Sequence, residues 1–454
     1  MKTKILCSLF FPSMLVAANI KEKPNIVLIL IDDAGYADFG FNGSKEFKTP
    51  NIDKIADNGM IFTDMHASAS VSGPSRSGLM TGRYQQRFGC ETNTSLNIGV
   101  PLNERFFSEI LQLEGYKTGA FGKWHLGSTF EQHPNSRGFD EFYGFLGGSR
   151  GYFYNDKFFN HRTIGIMHNR EYVKFDGYLT DVLADKAVDF IDKNAKTPFF
   201  MYLSFNAVHS PFEAKKSDLD LFKGTSRPTL AAMTWALDRA IGNVLDKLEE
   251  ENIMDNTLII FVSDNGGDLA SGNSKDNHPL KSEKGLEFEG GHRVVCAFRW
   301  DNVIQKHSKF EGLSSMLDIF PTVLSISGSD YKMKKDIDGV NLIPFLLDKK
   351  SNKYPHDWLF WRIERWKAVR YNNFKLVSAQ GVGDRMYDLS NDIGETKDLK
   401  DIHSDIYKQM KKKLYEWEDM MIQPILSGED SWKNVKASMY KSYFDNKIPT
   451  KRTP

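Results

Sequence analysis

The sequence predicts an α/β fold, with a large mixed, mostly parallel sheet flanked by helices and a smaller C-terminal α+β subdomain. Two observations carry this prediction. Largely apolar runs at residues 26–31, 197–205 and 257–262, without alternation of polar residues, are typical of strands buried on both faces of a parallel sheet, and amphipathic helical patterns separate them. After about residue 350 the pattern changes to short aromatic strands and one charged helix, which indicates a separate small unit.

Composition places the chain among globular proteins. Its 454 residues are 41% hydrophobic, 26% charged and 13% aromatic, so a large core is available and disorder is not indicated. Lys plus Arg and Asp plus Glu number 59 each, so bulk charge favours neither a nucleic acid nor a membrane surface as partner. No later segment reaches the roughly 20 apolar residues of a membrane span.

Residues 1–18 are predicted to be a secretory signal peptide. Lys2 and Lys4 precede an apolar run over residues 5–16, which is followed by small residues suited to cleavage. Cys7 lies within this run, and the two remaining cysteines, Cys90 and Cys296, are expected to be free and structural. The predicted division is therefore residues 1–18, a large unit over 19–350 and a subdomain over 351–454.

Acidic residues follow two of the predicted strands. Asp32 and Asp33 end the run at 26–31, and Asp264 and Asn265 come just after the run at 257–262. Ligands of open α/β sheets gather at the carboxyl ends of strands, so we expect these side chains to share one site. Hard oxygen donors without cysteine or clustered histidine fit Ca²⁺ or Mg²⁺ and not Zn²⁺, and an asymmetric carboxylate-rich shell favours calcium.

Basic residues follow other strands. The predicted strand at 115–122 delivers Lys123 and His125, which alternate and so share one side of an extended chain. His209 follows the strand at 197–205, and the glycine-rich segment 279–294 offers Lys284, with Lys281 as a rival. A lone Lys/His pair is more often a surface feature, and only its place after a strand favours a functional role.

A short helix is predicted with Ser72 or Gly73 at its N-cap, Pro74 in its first turn and Gly82 at its stop. The N-terminus of a helix offers unpaired N–H groups that attract anions, and Arg76 adds a full positive charge one turn along. Taken alone, this stretch is better explained as an ordinary capped helix with a surface arginine.

The same stretch resembles the signature of the type I sulfatases, a Cys or Ser followed by x-Pro-Ser-Arg and then by Thr-Gly-Arg. The matching positions are Ser72, Pro74, Ser75, Arg76, Thr81, Gly82 and Arg83. The resemblance implies an alkaline phosphatase-like fold and conversion of Ser72 to formylglycine, the aldehyde that performs the chemistry. In the family the serine form needs a radical maturase that works without oxygen, which implies an exported, periplasmic bacterial enzyme.

The resemblance also assigns roles to the other candidates. A calcium ion would be bound by Asp32, Asp33, Asp264, Asn265 and the modified Ser72. Arg76 would hold the aldehyde hydrate, and Lys123 and Lys284 would grip the sulfate. His125 would take a proton from the hydrate, and His209 would assist the leaving alcohol. The family often has glycine where this chain has Glu283, just before Lys284.

The resulting hypothesis is an exported sulfatase that hydrolyses sulfate monoesters on sulfated carbohydrate, as in sulfated glycan degradation. Two alternatives stay open: a phosphonate or phosphodiester hydrolase of the same fold, and an unmatured protein that only binds sulfated glycan. Aromatic and basic residues with the chemistry of a sugar subsite are Arg150, Tyr152, Tyr154, His161, Arg162, Trp361, Arg362 and Trp366. For each of them a place in a hairpin core or on a charged surface is at least as good an explanation.

Overall fold

The computed structural model describes residues 23–93, 98–269, 275–347, 354–425 and 430–453. The predicted signal peptide with Cys7, and the predicted boundary near residue 350, lie outside these ranges. Among the described helices, none combines the length and the apolar composition needed to cross a membrane.

The strands and helices alternate through the first two thirds of the chain, as the apolar runs predict. The strands are β1 (Asn25–Ile31), β2 (Met60–Phe62), β3 (Met65–His66), β4 (Lys117–Lys123), β5 (Glu141–Phe145), β6 (Met167–His168), β7 (Glu171–Tyr172), β8 (Phe199–Ser204), β9 (Thr257–Ser263), β10 (Cys296–Arg299), β11 (Ser308–Phe310), β12 (Ser314–Ser315), β13 (Trp358–Ile363), β14 (Trp366–Tyr371), β15 (Phe374–Ala379) and β16 (Gly383–Asp388). The α-helices are α1 (Pro50–Asp57), α2 (Ser72–Thr81), α3 (Phe107–Leu113), α4 (Leu179–Asn194), α5 (Lys216–Leu221), α6 (Pro228–Glu250), α7 (Glu289–His292), α8 (Ile319–Ser327), α9 (Ile343–Leu347), α10 (Ser404–Glu418) and α11 (Asp430–Phe444).

The main sheet has ten strands in the order β11-β2-β10-β9-β1-β8-β4-β5-β6-β7. Its five central strands, from β9 to β5, run parallel, and antiparallel pairs occur toward both edges. The predicted fold class is confirmed. Because the central strands are parallel, their carboxyl ends meet at one edge of the sheet, where ligands of such folds bind.

Strand β1 shows why its apolar run does not alternate. Val27, Ile29 and Ile31 pack in the core shared with α4 and α6, whereas the residues between them pack in the core shared with α2, α3 and α8. All seven residues of the strand are buried. Burial of each such aliphatic side chain stabilises the fold by about 1.5–3 kcal/mol. The central strand is therefore held firmly in the core, and the position of the residues that follow it is fixed.

One predicted loop is wrong in part. The aromatic and glycine-rich segment 137–154 was expected to be a long loop, but it contains β5, which pairs in parallel with β4. Gly144 permits this pairing, because a Cβ atom there would lie 2.0 Å from the carbonyl oxygen of Gly122. The glycines that suggested a loop serve instead the close approach of two strands.

The C-terminal part forms an antiparallel sheet of four strands, β13 to β16, with α10 packed against β14 and β15. Three of the strands and α10 match the prediction, whereas β16 and α11 were not predicted. Strand β16 reads Gly-Asp-Arg-Met-Tyr-Asp and lacks an apolar run. Cys90 and Cys296 are buried and free, as expected.

Candidate active site

The carboxyl ends of β1 and β9 bring four oxygen-bearing side chains together. The two strands pair in register from Asn25 opposite Thr257 to Ile31 opposite Ser263, so the residues just beyond them are neighbours. The backbone N–H of Asp33 donates to Asp264 Oδ1 at 3.2 Å, and Asn265 Nδ2 donates to Asp33 Oδ1 at 2.7 Å. Asp32, Asp33, Asp264 and Asn265 are all buried.

Helix α2 presents Ser72 to this cluster. The helix begins at Ser72 and ends before Gly82, which has a positive φ of 65° and donates its N–H to the carbonyl of Gly78. The predicted N-cap at Ser72 or Gly73 is wrong, because Val71 occupies the N-cap position and Ser72 is the first helical residue. Its Oγ lies 3.2 Å from Asp32 Oδ1 and 3.2 Å from Asn265 Oδ1, and the residue is 1% exposed.

Arg76 lies one turn along the same helix and is fully buried beneath the cluster. Its Nε donates to Asp264 Oδ2 at 2.9 Å, and another nitrogen donates to Ser204 Oγ at 2.5 Å. Burial alone would lower the pKa of Arg76, but Asp264 raises it above its ordinary value. The guanidinium is therefore permanently charged and ties α2 to the ends of β8 and β9.

Two lysines pair with the two aspartates that end β1. Lys123 Nζ lies 2.6 Å from Asp32 Oδ2, and Lys284 Nζ lies 2.7 Å from Asp33. The rival Lys281 points elsewhere, since its Nζ donates to the backbone oxygen of Glu395 at 2.5 Å and to Asn446 Oδ1 at 2.7 Å. The structure thus brings Lys284, and not Lys281, to the predicted site.

Glu283, which differs from the glycine common in the family resembled, anchors the Lys284 loop to the C-terminal part of the chain. Tyr443 Oη donates to Glu283 Oε1 at 3.0 Å and Arg452 Nε donates to the same oxygen at 2.7 Å. On the other side, the Leu269 N–H donates to Glu283 Oε2. The loop that carries Lys284 is therefore held by residues about 160 positions further along the chain.

A buried carboxyl in the same loop predicts a pH dependence of stability. Burial raises the pKa of Glu287 to about 7, although Ser70 donates to its Oε1 at 3.0 Å and Lys436 partly offsets the shift. The folded protein then holds this proton more tightly than the unfolded chain does. The contribution of Glu287 to stability is complete below its unfolded pKa and is lost as the pH rises through about 7, by up to about 1.4 kcal/mol per pH unit.

We therefore expect Glu287→Gln to have nearly the stability of the natural protein at pH 5 and to be more stable at pH 8. Chemical unfolding at the two pH values measures the free energy of unfolding of the variant and of the natural protein. Glu171→Gln, at an exposed position on β7, is the matched control, and its free energy of unfolding should equal that of the natural protein at both pH values. A Glu287→Gln protein whose stability relative to the natural protein is the same at pH 8 as at pH 5 would contradict the buried, protonated carboxyl.

The two predicted histidines both lie close to the charged residues of the cluster. His125 is 6% exposed, and burial, together with Lys123 and Arg76, holds its pKa well below the ordinary value. His209 Nδ1 lies 2.5 Å from the carbonyl oxygen of Ser210, and its Nε2 lies 3.5 Å from Asp33 Oδ2. Burial lowers the pKa of His209 to about 3, despite the opposing effect of Asp33. Both imidazoles are neutral at neutral pH.

Sequence reasoning missed several residues of the site. Lys275 is buried, and its Nζ lies 3.9 Å from Asp33 Oδ2. It follows no strand, so no sequence signal pointed to it. Ser204, by contrast, ends β8, and the rule that found Asp32 and Asp264 could have found it too.

The described site carries more positive than negative charge. Arg76, Lys123, Lys275 and Lys284 face three carboxylates, with both histidines neutral. Asp32, Asp33 and His209 also place one ligand atom each within 4.8 Å of one another. Carboxylate and amide oxygens at the ends of two rigid strands fit a hard divalent cation, and the surrounding lysines fit an anionic substrate.

A second group of potential metal ligands, His66, Glu289 and His292, lies outside this site. Here a cation is already present, because Lys375 Nζ lies 3.0 Å from Glu289 Oε1 and 3.2 Å from His292 Nε2. The ring of His292 also stacks on Trp361 at 4.0 Å. We interpret this group as a buried polar network between the main sheet and the C-terminal sheet.

Most of the predicted sugar-binding residues have structural roles. Trp361 and Trp366 belong to the core of the C-terminal sheet, and Arg362 forms a buried ion pair with Glu91. Tyr152 is buried, with its hydroxyl 2.7 Å from the Asn206 carbonyl and 2.8 Å from the His209 carbonyl. Arg150 donates to the Ile164 carbonyl, and Tyr154 to Asp156. His161 and Arg162 each line a cavity.

Comparison with known families agrees with this geometry. The sequence model of the family described as Sulfatase matches residues 24–329, which include every strand-end residue of the site. The chain belongs to the sulfatase family. As a member of it, this sulfatase is a sulfuric ester hydrolase.

Named relatives of this sulfatase cover most of its length. An uncharacterized sulfatase of Escherichia coli K12, YdeN, is 32% identical over 79% of this chain and 72% of its own. The N-acetylgalactosamine-6-sulfatase of Mus musculus is 32% identical over 80% of this chain and 73% of its own. The crystal structure of Ps i-CgsB in complex with k-i-k-neocarrahexaose superposes with a TM-score of 0.85 at 37% identity, covering 92% of this chain and 98% of that one.

Proposed function

We propose that this protein is an exported, periplasmic sulfatase that hydrolyses sulfate monoesters on sulfated carbohydrate through a formylglycine made from Ser72. The observation that carries the proposal is the position of Ser72. Its Oγ lies 3.2 Å from both Asp32 and Asn265, and Asp32 and Asp33 are each paired with a lysine. An aldehyde at residue 72, when hydrated, supplies one hydroxyl for attack on sulfur and a second whose proton loss releases the product.

In this proposal a calcium ion would be held by Asp32, Asp33, Asp264, Asn265 and the matured residue 72. When bound, the ion would supply positive charge that helps to neutralise the sulfate. Calcium suits the site better than magnesium, because it accepts irregular shells rich in carboxylates.

The remaining residues orient the sulfate and move protons. Lys123 and Lys284 bind its oxygens and neutralise their charge, as preorganised cations do in other transfers of anionic groups. Arg76 holds α2, and with it residue 72, against β9 through Asp264. His125 is neutral and buried, so it accepts a proton from residue 72. His209 assists the departing alcohol by giving it a proton, which the imidazole takes up only when the negative charge of the sulfate lies next to it. Overall, the S–O bond of the ester breaks, and water supplies a hydroxyl to sulfur and a proton to the alcohol.

The relatives support carbohydrate as the substrate class. One is named for N-acetylgalactosamine 6-sulfate, and Ps i-CgsB was crystallised with a neocarrahexaose. The proposal also requires two partners in the cell: an export system that recognises residues 1–18 and a radical maturase that oxidises Ser72.

The test is a panel of 4-nitrophenyl sulfate, N-acetylgalactosamine 6-sulfate and k-i-k-neocarrahexaose, with released sulfate measured by ion chromatography. In the same protein, purified from its natural host, mass spectrometry of the peptide that contains residue 72 shows whether this residue is an aldehyde or a serine. An aldehyde together with sulfate release supports the proposal. An intact serine with retained glycan binding favours the unmatured binder, and faster turnover of 4-nitrophenyl phosphate or phosphonate esters favours the other hydrolases.

Removal of the metal should abolish most activity. We expect dialysis against EGTA to lower sulfate release at least tenfold and to lower the melting temperature, since an ion that binds only the folded state stabilises it by about 2.7 kcal/mol at one hundred times its Kd. Added Ca²⁺ should restore both quantities, and Mg²⁺ should restore less. Activity that survives EGTA unchanged, in protein shown to be free of metal by elemental analysis, would contradict the calcium site.

A further inference from the structure

Two adjoining cavities extend from His125 away from the metal ligands. The first, of about 280 Å³, is lined by His125, Gly127, Ser149, His161 and Thr163, among others. The second, of about 550 Å³, shares Ser128 and Leu146 with the first and continues to Phe130, Arg162 and Arg170. The cavities therefore form one path from the proposed sulfate site to a pair of arginines.

Neither arginine is neutralised. Arg162 donates only to the carbonyl oxygen of Ser128, at 3.3 and 3.4 Å, and Arg170 donates to Ser136 Oγ at 2.8 Å and to the Phe130 carbonyl at 3.4 Å. Within the described ranges, neither forms an ion pair, and no Asp or Glu is among the residues that line the two cavities. A guanidinium has five N–H donors, so both groups keep donors for a ligand.

Phe130 completes an amphipathic surface beside these charges. Its side chain is 68% exposed, and the guanidinium of Arg170 lies over its ring, 3.8 Å from the ring centre. An exposed ring suits the apolar face of a sugar, and a stacked arginine is held in place for an anion. Large exposed aromatic side chains next to unpaired cations are typical of binding surfaces.

We propose that Phe130, Arg162 and Arg170 form a subsite for a second sulfate group, on a sugar unit next to the one whose ester is cleaved. This inference rests on the proposed function, and it narrows the substrate class to oligosaccharides that carry more than one sulfate. The arginines bind the second sulfate bidentately, as they bind other planar or tetrahedral oxyanions, and Phe130 packs against the sugar that carries it.

Loss of either arginine should therefore act on substrates that are long enough to reach the subsite. We expect Arg162→Gln and Arg170→Gln each to lower kcat/KM for k-i-k-neocarrahexaose by about tenfold, mainly through KM, because a bond between charged groups is lost. Turnover of N-acetylgalactosamine 6-sulfate, with its single sulfate, should change less than about twofold. Added salt should weaken hexaose binding by the natural protein more than by the double variant.

The experiment compares both substrates in the matured natural protein, the two single variants, the double variant and Lys309→Gln. Lys309 is exposed on β11, at the opposite edge of the main sheet from β7, and so is a matched control for the loss of one surface charge. Binding of the hexaose by Ser72→Ala protein, with and without the arginine changes, gives a readout that does not depend on chemistry.

The outcomes separate the subsite from the function. A selective loss on the hexaose supports the subsite. Equal losses on both substrates, no loss on the hexaose, or a natural protein that cleaves only the monosulfated sugar would each overturn it. A natural protein with an aldehyde at residue 72 that cleaves no sulfate ester would instead overturn the proposed function.

Discussion

Replacement of Ser72 by alanine should abolish sulfate release, with kcat lower by a factor on the order of 10⁴ or more, as when a covalent nucleophile is removed from other hydrolases. Alanine has no oxygen to be oxidised, so the aldehyde cannot form and the attacking hydroxyl is lost. The fold should persist, because Ser72 contributes only hydrogen bonds of 3.2 Å to Asp32 and Asn265. In EGTA, the melting temperature of the Ser72→Ala protein should therefore stay close to that of the metal-free natural protein.

The controls use the same helix. Ser77 is buried in α2 and donates only to the Gly73 carbonyl at 2.8 Å, so Ser77→Ala removes a hydroxyl without touching the carboxylates or the matched signature positions. It should keep kcat within about threefold and lose about 1 kcal/mol of stability at most. Ser72→Cys should regain activity in a host whose maturase accepts cysteine. Sulfate release by Ser72→Ala at the natural rate would remove residue 72 from the mechanism.

The sequence was most informative where function depends on the ends of buried strands. Asp32, Asp33, Asp264 and Lys123 each follow an apolar run, and pairing of β1 with β9 and of β4 with β8 brings those ends together. The carboxyl ends of parallel strands always meet at one edge of the sheet. That these residues lie close together could therefore be predicted without knowing which strands pair or in which register.

Residues held by contacts between distant parts of the chain could not be predicted in this way. Lys275 follows no strand, and its approach to Asp33 depends on the path of the loop around it. Trp361 and Trp366 looked equally suited to a sugar and to a core, because an aromatic side chain serves both. Only the packing of the C-terminal sheet, in which both rings are buried, decides between the two.

For the same reason, the sequence alone could not decide whether Lys281 or Lys284 reaches the site, since the two lie three residues apart in one basic segment. Glu283 is fixed by Tyr443 and Arg452, and Lys281 is fixed by the Glu395 carbonyl and Asn446, all from the C-terminal part. With its neighbours held outward, Lys284 reaches Asp33. One of these partners, Tyr443, lies in α11, which the sequence did not reveal as a helix.

We therefore expect Lys284→Met to lower kcat and Lys281→Met to lower the stability of the fold. Loss of the Lys284 charge removes one of the cations that neutralise the sulfate, and the loss of one such preorganised group lowers kcat by about 10²–10³. Lys281→Met leaves the site intact and removes two hydrogen bonds at the C-terminal contact, so it should cost about 1–2 kcal/mol of stability with kcat unchanged.

Steady-state kinetics with 4-nitrophenyl sulfate and chemical unfolding of both variants measure the two effects separately. Lys284→Arg is the conservative variant, and because it keeps the charge it should recover part of kcat. Burial alone would lower the pKa of Lys284, but Asp33 raises it, so the lysine stays charged in the folded protein and a change of pH between 6 and 9 should not mimic its loss. A large fall in kcat for Lys281→Met, with none for Lys284→Met, would show that Lys281 and not Lys284 reaches the site. The loop that carries both lysines would then follow a different path between the C-terminal subdomain and the site.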